Sequence, residues 1–331
     1  GSEMCIRDRP RHHDGAGLKL QHPEVRYEVT DHCNATCIMC PRDKHDRPHG
    51  IMDTQAYKRS IDEVVSLGAQ RIVLTGFGEP LLDRELEIKV DYANFAGLNT
   101  YIITNASALT PRRAEGLLNA GLDEARISFY GMSPTSYNAV MQGLDYKKTL
   151  KNIINFINLI EQRGAKTKVM LSYLVLPENE ADTQTFKRFW EPLVDFIEIW
   201  KPHNFGDGRD YRERTQYKTS CGRPANGPLQ IQWNGEVIPC CYDYNNQIIL
   251  GNAFESPVLE VLHGDKYNAL RDAHESGEFH HFPYCDQCDQ LLEHSDAIVY
   301  SNRHDLPAED AVKLSNTDLY DLVNAVEITD R

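Results

Sequence analysis

The stretch Thr30-Asp-His-Cys-Asn-Ala-Thr-Cys-Ile-Met-Cys-Pro41 carries three cysteines, Cys33, Cys37 and Cys40. Their spacing, Cys-x3-Cys-x2-Cys, brings three thiolates within reach of one inorganic cluster and supplies no obvious fourth. A cubane iron–sulfur cluster has four irons and normally takes four Cys ligands, so three leave one iron open to a group that is not protein. The alternatives are a zinc site or a disulfide framework, but a structural zinc site needs four ligands.

Composition limits the class of protein. The chain has 331 residues, of which 41% are hydrophobic and 9% aromatic, as expected for a globular protein with a sizeable core. The net charge of −14 argues against an extended nucleic acid as the main partner. We see no apolar run of about 18 residues and no charged-then-apolar leader, so we expect a cytoplasmic protein without membrane contact. The clustering of its 9 cysteines favours metal binding over disulfides.

From Val25 onward, short β-branched runs alternate with amphipathic stretches, which predicts βα units around a parallel sheet. We predict strands at 25–30, 71–75, 100–104, 124–129, 168–175 and 196–200. Helices are predicted at 54–67, 83–95, 111–119, 146–162 and 182–190. Asp53, Thr110 and Ser133 mark helix starts.

The cysteine motif, placed directly after a predicted strand, resembles that of the radical S-adenosylmethionine (radical SAM) superfamily, in which SAM occupies the open iron. The resemblance implies an α/β fold with a partial (β/α)6 TIM-like barrel over residues 22–206. It also implies a site-differentiated 4Fe–4S cluster that, with one electron from a donor such as flavodoxin or ferredoxin, cleaves SAM. The 5′-deoxyadenosyl radical so formed abstracts a hydrogen atom from the substrate.

Three further segments, 75–80, 101–106 and 126–130, resemble SAM-binding segments of this superfamily. The turn Thr75-Gly-Phe-Gly-Glu-Pro80 resembles the Gly-Gly-Glu-Pro motif, with Phe77 where a glycine is usual. The resemblance assigns SAM contacts to Met39, Gly76, Gly78, Glu79, Pro80, Thr104, Asn105 and Ser128. Alternatively, Met39 packs in the core, and Asn105 and Ser128 are ordinary polar residues at strand ends, where α/β enzymes place their ligands.

A second cysteine set follows the predicted barrel. Two alternating runs joined by Asn234-Gly235 predict a β-hairpin, and a helix is predicted at 258–274. With them, Cys221, Cys240, Cys285 and Cys288 resemble the truncated (Twitch) form of the SPASM extension, which implies a domain over 207–290 holding one auxiliary 4Fe–4S cluster. The alternative is a structural zinc site, with His280 and His281 as extra ligands.

The adjacent residues Cys240 and Cys241 should point to opposite faces of a strand. The resemblance favours Cys240 as the cluster ligand. Cys241 is then a candidate hydrogen-atom donor to a substrate radical, with a buried small hydrophobe as the alternative. Asp207, Asp210 and His203 are candidate bases by position only.

The resemblance leaves dehydrogenation, epimerisation and peptide cross-linking as outcomes. We see no separate domain ahead of the predicted barrel, unlike many peptide-modifying relatives, so we expect dehydrogenation or epimerisation of a small sugar- or cyclitol-type substrate. A peptide maturase is the alternative, and the non-enzyme alternatives are an iron–sulfur electron carrier and a zinc-stabilised binding module. Residues 1–21 are interpreted as a disordered, tag-like segment and residues 291–331 as a tail with a helix at 317–325.

Overall fold

The computed structural model describes residues 19–213, 218–291 and 298–303. Its strands are β1 (Glu24–Tyr27), β2 (Arg71–Leu74), β3 (Asn99–Thr104), β4 (Glu124–Ser128), β5 (Lys168–Leu174), β6 (Phe196–Trp200), β7 (Leu229–Ile231), β8 (Glu236–Ile238), β9 (Gly251–Asn252) and β10 (Ile298–Ser301). Its helices are α1 (Thr54–Ser66), α2 (Leu86–Phe95), α3 (Pro111–Asn119), α4 (Pro134–Val140), α5 (Tyr146–Arg163), α6 (Thr183–Trp190), α7 (Arg223–Asn226), α8 (Val258–Leu262), α9 (Asp265–Ser276) and α10 (Pro283–Asp286).

One sheet contains all of these strands, in the order β10-β6-β5-β4-β3-β2-β1-β7-β8-β9. Strands β1 to β6 pair in parallel with their neighbours in the chain, and helices α1 to α6 lie in the connections. This arrangement confirms the predicted α/β fold with six parallel strands. Strand β7 pairs in parallel with β1, so the hairpin β7–β8 extends the same sheet.

The helix starts follow the predicted capping residues. Asp53 accepts a hydrogen bond from Ala56 N at 2.8 Å, and Ser133 accepts one from Ser136 N at 3.1 Å. Thr110 caps α3 in the same way. Each cap satisfies a backbone N–H group that the first helical turn leaves unpaired.

Two parts of the prediction need correction. The single helix predicted at 258–274 is two helices, α8 and α9, because the chain is extended at Gly264 (ψ 160°), which caps α9. Strands β9 and β10 were not predicted; β10 pairs antiparallel with β6 at one edge of the sheet. The helix predicted at 317–325 lies outside the described residues. In the part of the chain described, no helix is both long and apolar enough to cross a bilayer.

The two faces of the sheet differ in chemistry. One face packs against the helices through apolar residues such as Ile72, Ile102 and Ile127, which are fully buried. The other face carries only a small apolar cluster, formed by Val73, Tyr101, Met170 and Phe196 with Ile103 packed against it. Most of the remaining side chains on this inner face are polar or charged, although they are buried.

The buried charges at the amino ends of the strands are paired. Glu124 lies 2.9 Å from Arg303, which follows β10, and 3.2 Å from Arg71 of β2. Glu24 and Arg26, both on β1, pair at 2.8 Å. Because an unpaired buried charge is costly, these pairs are what allow a charged inner face.

We expect Arg303→Met to lower the free energy of unfolding by about 3 kcal/mol, since it removes one partner from a buried ion pair. The control is Arg163→Met. It breaks a pair with Glu115 whose side chains are 37% and 55% exposed, and should change stability by less than about 1 kcal/mol. Anaerobic urea unfolding followed by tryptophan fluorescence measures both. Equal effects of the two variants would contradict the structural role of Arg303.

Candidate functional site

The cysteine loop leaves β1 and is anchored through its backbone. Thr36 N donates to Gln142 O at 2.8 Å, and Ile38 N donates to Val140 O at 3.1 Å. The guanidinium of Arg209 donates to the carbonyl of Ile38 at 3.0 Å. The loop is thus held on both sides, by the chain after α4 and by the segment after β6.

Cys33, Cys37 and Cys40 line a cavity of about 270 Å³ at the carboxyl ends of the strands. None of the three is in a disulfide, and their sulfurs do not all lie within 4.8 Å of one another. Tetrahedral zinc with Zn–S bonds of about 2.3 Å would hold its sulfurs ~3.8 Å apart. This wider set of three soft donors fits an iron–sulfur cluster.

The turn after β2 lies against the cysteine loop. A Cβ atom on Gly78 would collide with the carbonyls of Thr30 and His32, and one on Gly76 would collide with the Glu28 side chain. Both glycines line the cavity. What excludes a side chain at these two positions, however, is contact with other parts of the protein itself.

The carboxylate of Glu79 is 2% exposed and lies at the cavity wall. It accepts hydrogen bonds from Thr104 Oγ1 at 2.5 Å, Asn105 N at 2.7 Å and Leu81 N at 3.1 Å. Burial raises the pKa of this carboxyl, and the three hydrogen bonds oppose that rise. Glu79 therefore ties the turn after β2 to the end of β3. Pro80 is buried in the following 3-10 turn and is not part of the cavity wall.

The end of β3 has an unusual backbone. Ala106 adopts a left-handed conformation with φ 57°, which is uncommon for a residue other than glycine. Asn152 of α5 supports it by donating to the carbonyls of Ala106 and Ser107, both at 3.0 Å. Asn105 lines the cavity and donates to Asn34 Oδ1 at 3.1 Å, which connects β3 to the cysteine loop.

The opposite wall of the cavity is polar. Ser128, a predicted SAM contact, lies there and accepts a hydrogen bond from Tyr130 at 3.1 Å. Arg126 donates to Ser172 at 3.1 Å and lies 3.7 Å from Glu198. Sequence reasoning missed several wall residues, namely Arg126, Tyr130, Ser172, Lys201, Gln230 and Gln232. The sequence pattern that could have identified them is a pair of polar residues two positions apart in a predicted strand, such as Arg126 with Ser128 and Gln230 with Gln232.

The structure separates the three candidate bases. His203 lies in the cavity wall, its ring 4.0 Å from that of Phe205 and 4.1 Å from that of Tyr242, measured between centroids. Asp207 lies outside the wall and accepts a hydrogen bond from Tyr244 at 3.0 Å. Asp210 is exposed and also lies outside the wall.

The second cysteine set gathers beside the cavity. Burial raises the pKa values of the Cys285 and Cys288 thiols, and the nearby Cys240 thiol raises both further. Cys221 acts on Cys240 in the same direction, so the four thiols share one electrostatic neighbourhood. No three of their sulfurs lie mutually within 4.8 Å in the described residues, which again suits a cluster better than single zinc.

His280 and His281, the alternative zinc ligands, are exposed, and their rings lie tilted against each other with centroids 3.9 Å apart. They belong to no group of three metal-ligand atoms within the described ranges.

Cys240 and Cys241 face different surroundings. Cys241 lies in the cavity wall, with its sulfur 3.9 Å from Arg26 Nη1 and 3.7 Å from Arg223 Nη1. Cys240 lies outside the wall, near the other thiols of its set.

Comparison with known proteins agrees with this geometry. Residues 27–189 match the radical SAM superfamily, and residues 221–289 match SPASM, an iron–sulfur cluster-binding domain. An AdoMet-dependent heme synthase of Methanosarcina barkeri is 32% identical over 76% of this chain and 85% of its own length. The chain belongs to the radical SAM superfamily. Its cofactors are SAM, a 4Fe–4S cluster and an auxiliary iron–sulfur cluster.

Other relatives cover most of the chain. An S-adenosyl-L-methionine-dependent 2-deoxy-scyllo-inosamine dehydrogenase of Niallia circulans is 24% identical over 81% of this chain and 92% of its own. The crystal structure of BtrN with AdoMet and 2-DOIA has a TM-score of 0.60 at 22% identity, covering 85% of this chain and 100% of BtrN. Streptococcus suis SuiB bound to precursor peptide SuiA has a TM-score of 0.63 at 14% identity, covering 75% and 66%. These likenesses place the fold among partial TIM barrels.

The neighbouring thiols Cys240 and Cys241 offer a matched pair of variants. We expect Cys240→Ala to remove about four of eight irons per chain, because a 4Fe–4S cluster normally needs each of its thiolates. Cys241→Ala should leave the iron content unchanged. Iron and sulfide analysis of anaerobically reconstituted protein measures both. Iron loss in Cys241→Ala together with full iron content in Cys240→Ala would show that Cys241, and not Cys240, is the cluster ligand.

Proposed function

We propose that this radical SAM enzyme dehydrogenates a small polyhydroxylated ring, a sugar or cyclitol. The observation that carries the proposal is a cavity that brings the cysteine triad together with a wall of hydroxyl, amide and cationic side chains. The similarity to a cyclitol dehydrogenase over most of both chains supports the same substrate class.

The residues around the cavity fit the cofactors. In our proposal Cys33, Cys37 and Cys40 hold the first cluster, and Cys221, Cys240, Cys285 and Cys288 hold the auxiliary cluster. Met39, Gly76, Gly78, Glu79, Thr104, Asn105 and Ser128, which all line the cavity, bind SAM. When bound, the first cluster, reduced by a donor of the flavodoxin or ferredoxin type, would with SAM supply a 5′-deoxyadenosyl radical for hydrogen abstraction, and the oxidised auxiliary cluster would supply an acceptor for the second electron.

The polar wall would recognise substrate hydroxyls. Gln230 is 1% exposed, and its side-chain oxygen has no hydrogen-bond partner among the described residues. Gln232, with its amide oriented to donate, reaches the Glu28 carboxylate at 2.7 Å. A ligand hydroxyl would donate a hydrogen bond to this buried acceptor. A ligand without that hydroxyl would leave the acceptor unpaired and would bind more weakly.

Dehydrogenation of a carbinol removes one hydrogen atom from carbon, one proton from oxygen and one electron, and leaves a ketone. The proton needs a base in the cavity wall, and we assign this role to His203. Its ring packs against Phe205 and Tyr242. Phe205 N donates a long hydrogen bond of 3.4 Å to Nδ1, which makes Nδ1 the nitrogen with the lone pair that would take the proton.

Replacing the proposed base tests this assignment. We expect His203→Gln to lower ketone formation about 100-fold, because general base catalysis typically contributes 10²–10⁴-fold. Asp207→Asn, whose carboxylate lies outside the cavity wall, should stay within about twofold of the wild type. Iron content of both variants serves as the control. Loss of turnover in Asp207→Asn with an active His203→Gln would contradict the assignment.

Epimerisation is the second candidate, and the position of Cys241 in the cavity wall favours it. There the thiol would return a hydrogen atom to the substrate carbon from the opposite face. A peptide maturase remains the alternative suggested by the likeness to SuiB.

One assay in D2O separates these functions. The reconstituted enzyme is given SAM, dithionite and 2-deoxy-scyllo-inosamine or related cyclitols, and products are read by mass spectrometry. We expect a ketone that has lost two hydrogen atoms, and we expect Cys241→Ser to retain that activity. An isomer carrying solvent deuterium, lost in Cys241→Ser while 5′-deoxyadenosine still forms, would establish epimerisation. Absence of 5′-deoxyadenosine in every reaction would refute the enzymatic proposal.

A further inference from the structure

A second group of metal-ligating side chains lies on the cysteine loop, outside the cavity wall. The carboxylate of Asp31 lies 2.8 Å from His49 Nδ1 and 4.0 Å from His45 Nε2. The three ligand atoms all lie within 4.8 Å of one another, the only such group of three in the described residues. Neither cysteine set contributes to it.

His45 is the informative member of this group. Its side chain is 1% exposed, yet neither ring nitrogen has a hydrogen-bond partner in the structure. The ring lies between His49 and Phe77, with centroid distances of 5.1 Å and 6.1 Å. Buried imidazole nitrogens normally have a partner, so the arrangement points to a ligand bound to Nε2.

Asp31 is oriented for the same ligand. Its carboxylate is fully buried, and one oxygen accepts a hydrogen bond from Gly50 N at 2.8 Å. The other oxygen faces the two histidines.

The nearest arginines are engaged elsewhere. Arg42 donates to the carbonyls of Asp31 and Phe77, and Arg47 pairs with Glu28 at 2.7 Å. The ion pairs of Asp31 within the described residues are with His45 and His49. Its negative charge is therefore available to a cation.

We propose that Asp31, His45 and His49 bind a divalent transition metal, with Zn²⁺ as the best match to two imidazoles and one carboxylate. The exposed fraction of His49 is 47%, so the ion enters from solvent and keeps a position for water. Asp31 lies two residues before Cys33, and both histidines follow Cys40. The metal would thus clamp the two ends of the loop that carries Cys33, Cys37 and Cys40.

Metal analysis of the holoenzyme tests the site. Anaerobically reconstituted protein is incubated with ZnCl2, gel-filtered and analysed for zinc and iron. We expect about one zinc per chain in the wild type. The double variant His45→Gln/His49→Gln should keep its iron and bind zinc at least tenfold more weakly. The control His280→Gln/His281→Gln removes two exposed imidazoles and should keep the zinc. Zinc loss only in the control, or equal zinc in all three proteins, would overturn the proposal.

X-ray absorption at the zinc edge gives a second measurement that needs no variant. We expect nitrogen and oxygen ligands at about 2.0–2.1 Å in the wild-type holoenzyme. A sulfur shell at about 2.3 Å would place the zinc in a cysteine site and refute the assignment. Because neither measurement uses turnover, both are independent of the proposed dehydrogenase activity.

Discussion

The cavity depends on one close contact, the packing of Gly78 against the carbonyls of Thr30 and His32. Any side chain at this position would push the turn after β2 away from the cysteine loop. The contact is reinforced by hydrogen bonds from Glu79 N to His32 O at 2.8 Å and from Arg42 to the carbonyl of Phe77 at 2.7 Å. The position of the triad relative to the sheet is therefore set by backbone contacts.

Glu79 extends this link to the next strand. Because both of its oxygens accept hydrogen bonds from the ends of β3 and the 3-10 turn, the carboxylate positions Thr104 and Asn105 in the cavity wall. Asn105 in turn reaches Asn34 on the cysteine loop. The turn after β2, the end of β3 and the cysteine loop thus form one hydrogen-bonded unit.

Much of this could be predicted from the sequence, because local patterns carry it. The βα alternation, the caps at Asp53 and Ser133 and the cysteine spacings each depend on residues close together in the chain. The rest depends on which strands are neighbours. The pairing of Arg303 with Glu124 joins residues far apart in sequence, and appears only once β10 is paired with β6. The same holds for the polar wall, whose residues come from several strands.

The pairing of β7 with β1 explains how one chain can serve two clusters. β1 leads into the cysteine triad, and β7 leads through the hairpin to Cys240 and Cys241. Neighbouring strands lie ~4.8 Å apart, so the sheet itself holds the two cysteine sets close together without an interdomain linker. At the end of the hairpin, the side chain of Cys241 faces the cavity while that of Cys240 faces the auxiliary set. In the proposed function, with the auxiliary cluster on Cys240 and the substrate beside Cys241, these adjacent residues would offer a short path for the electron that dehydrogenation must remove.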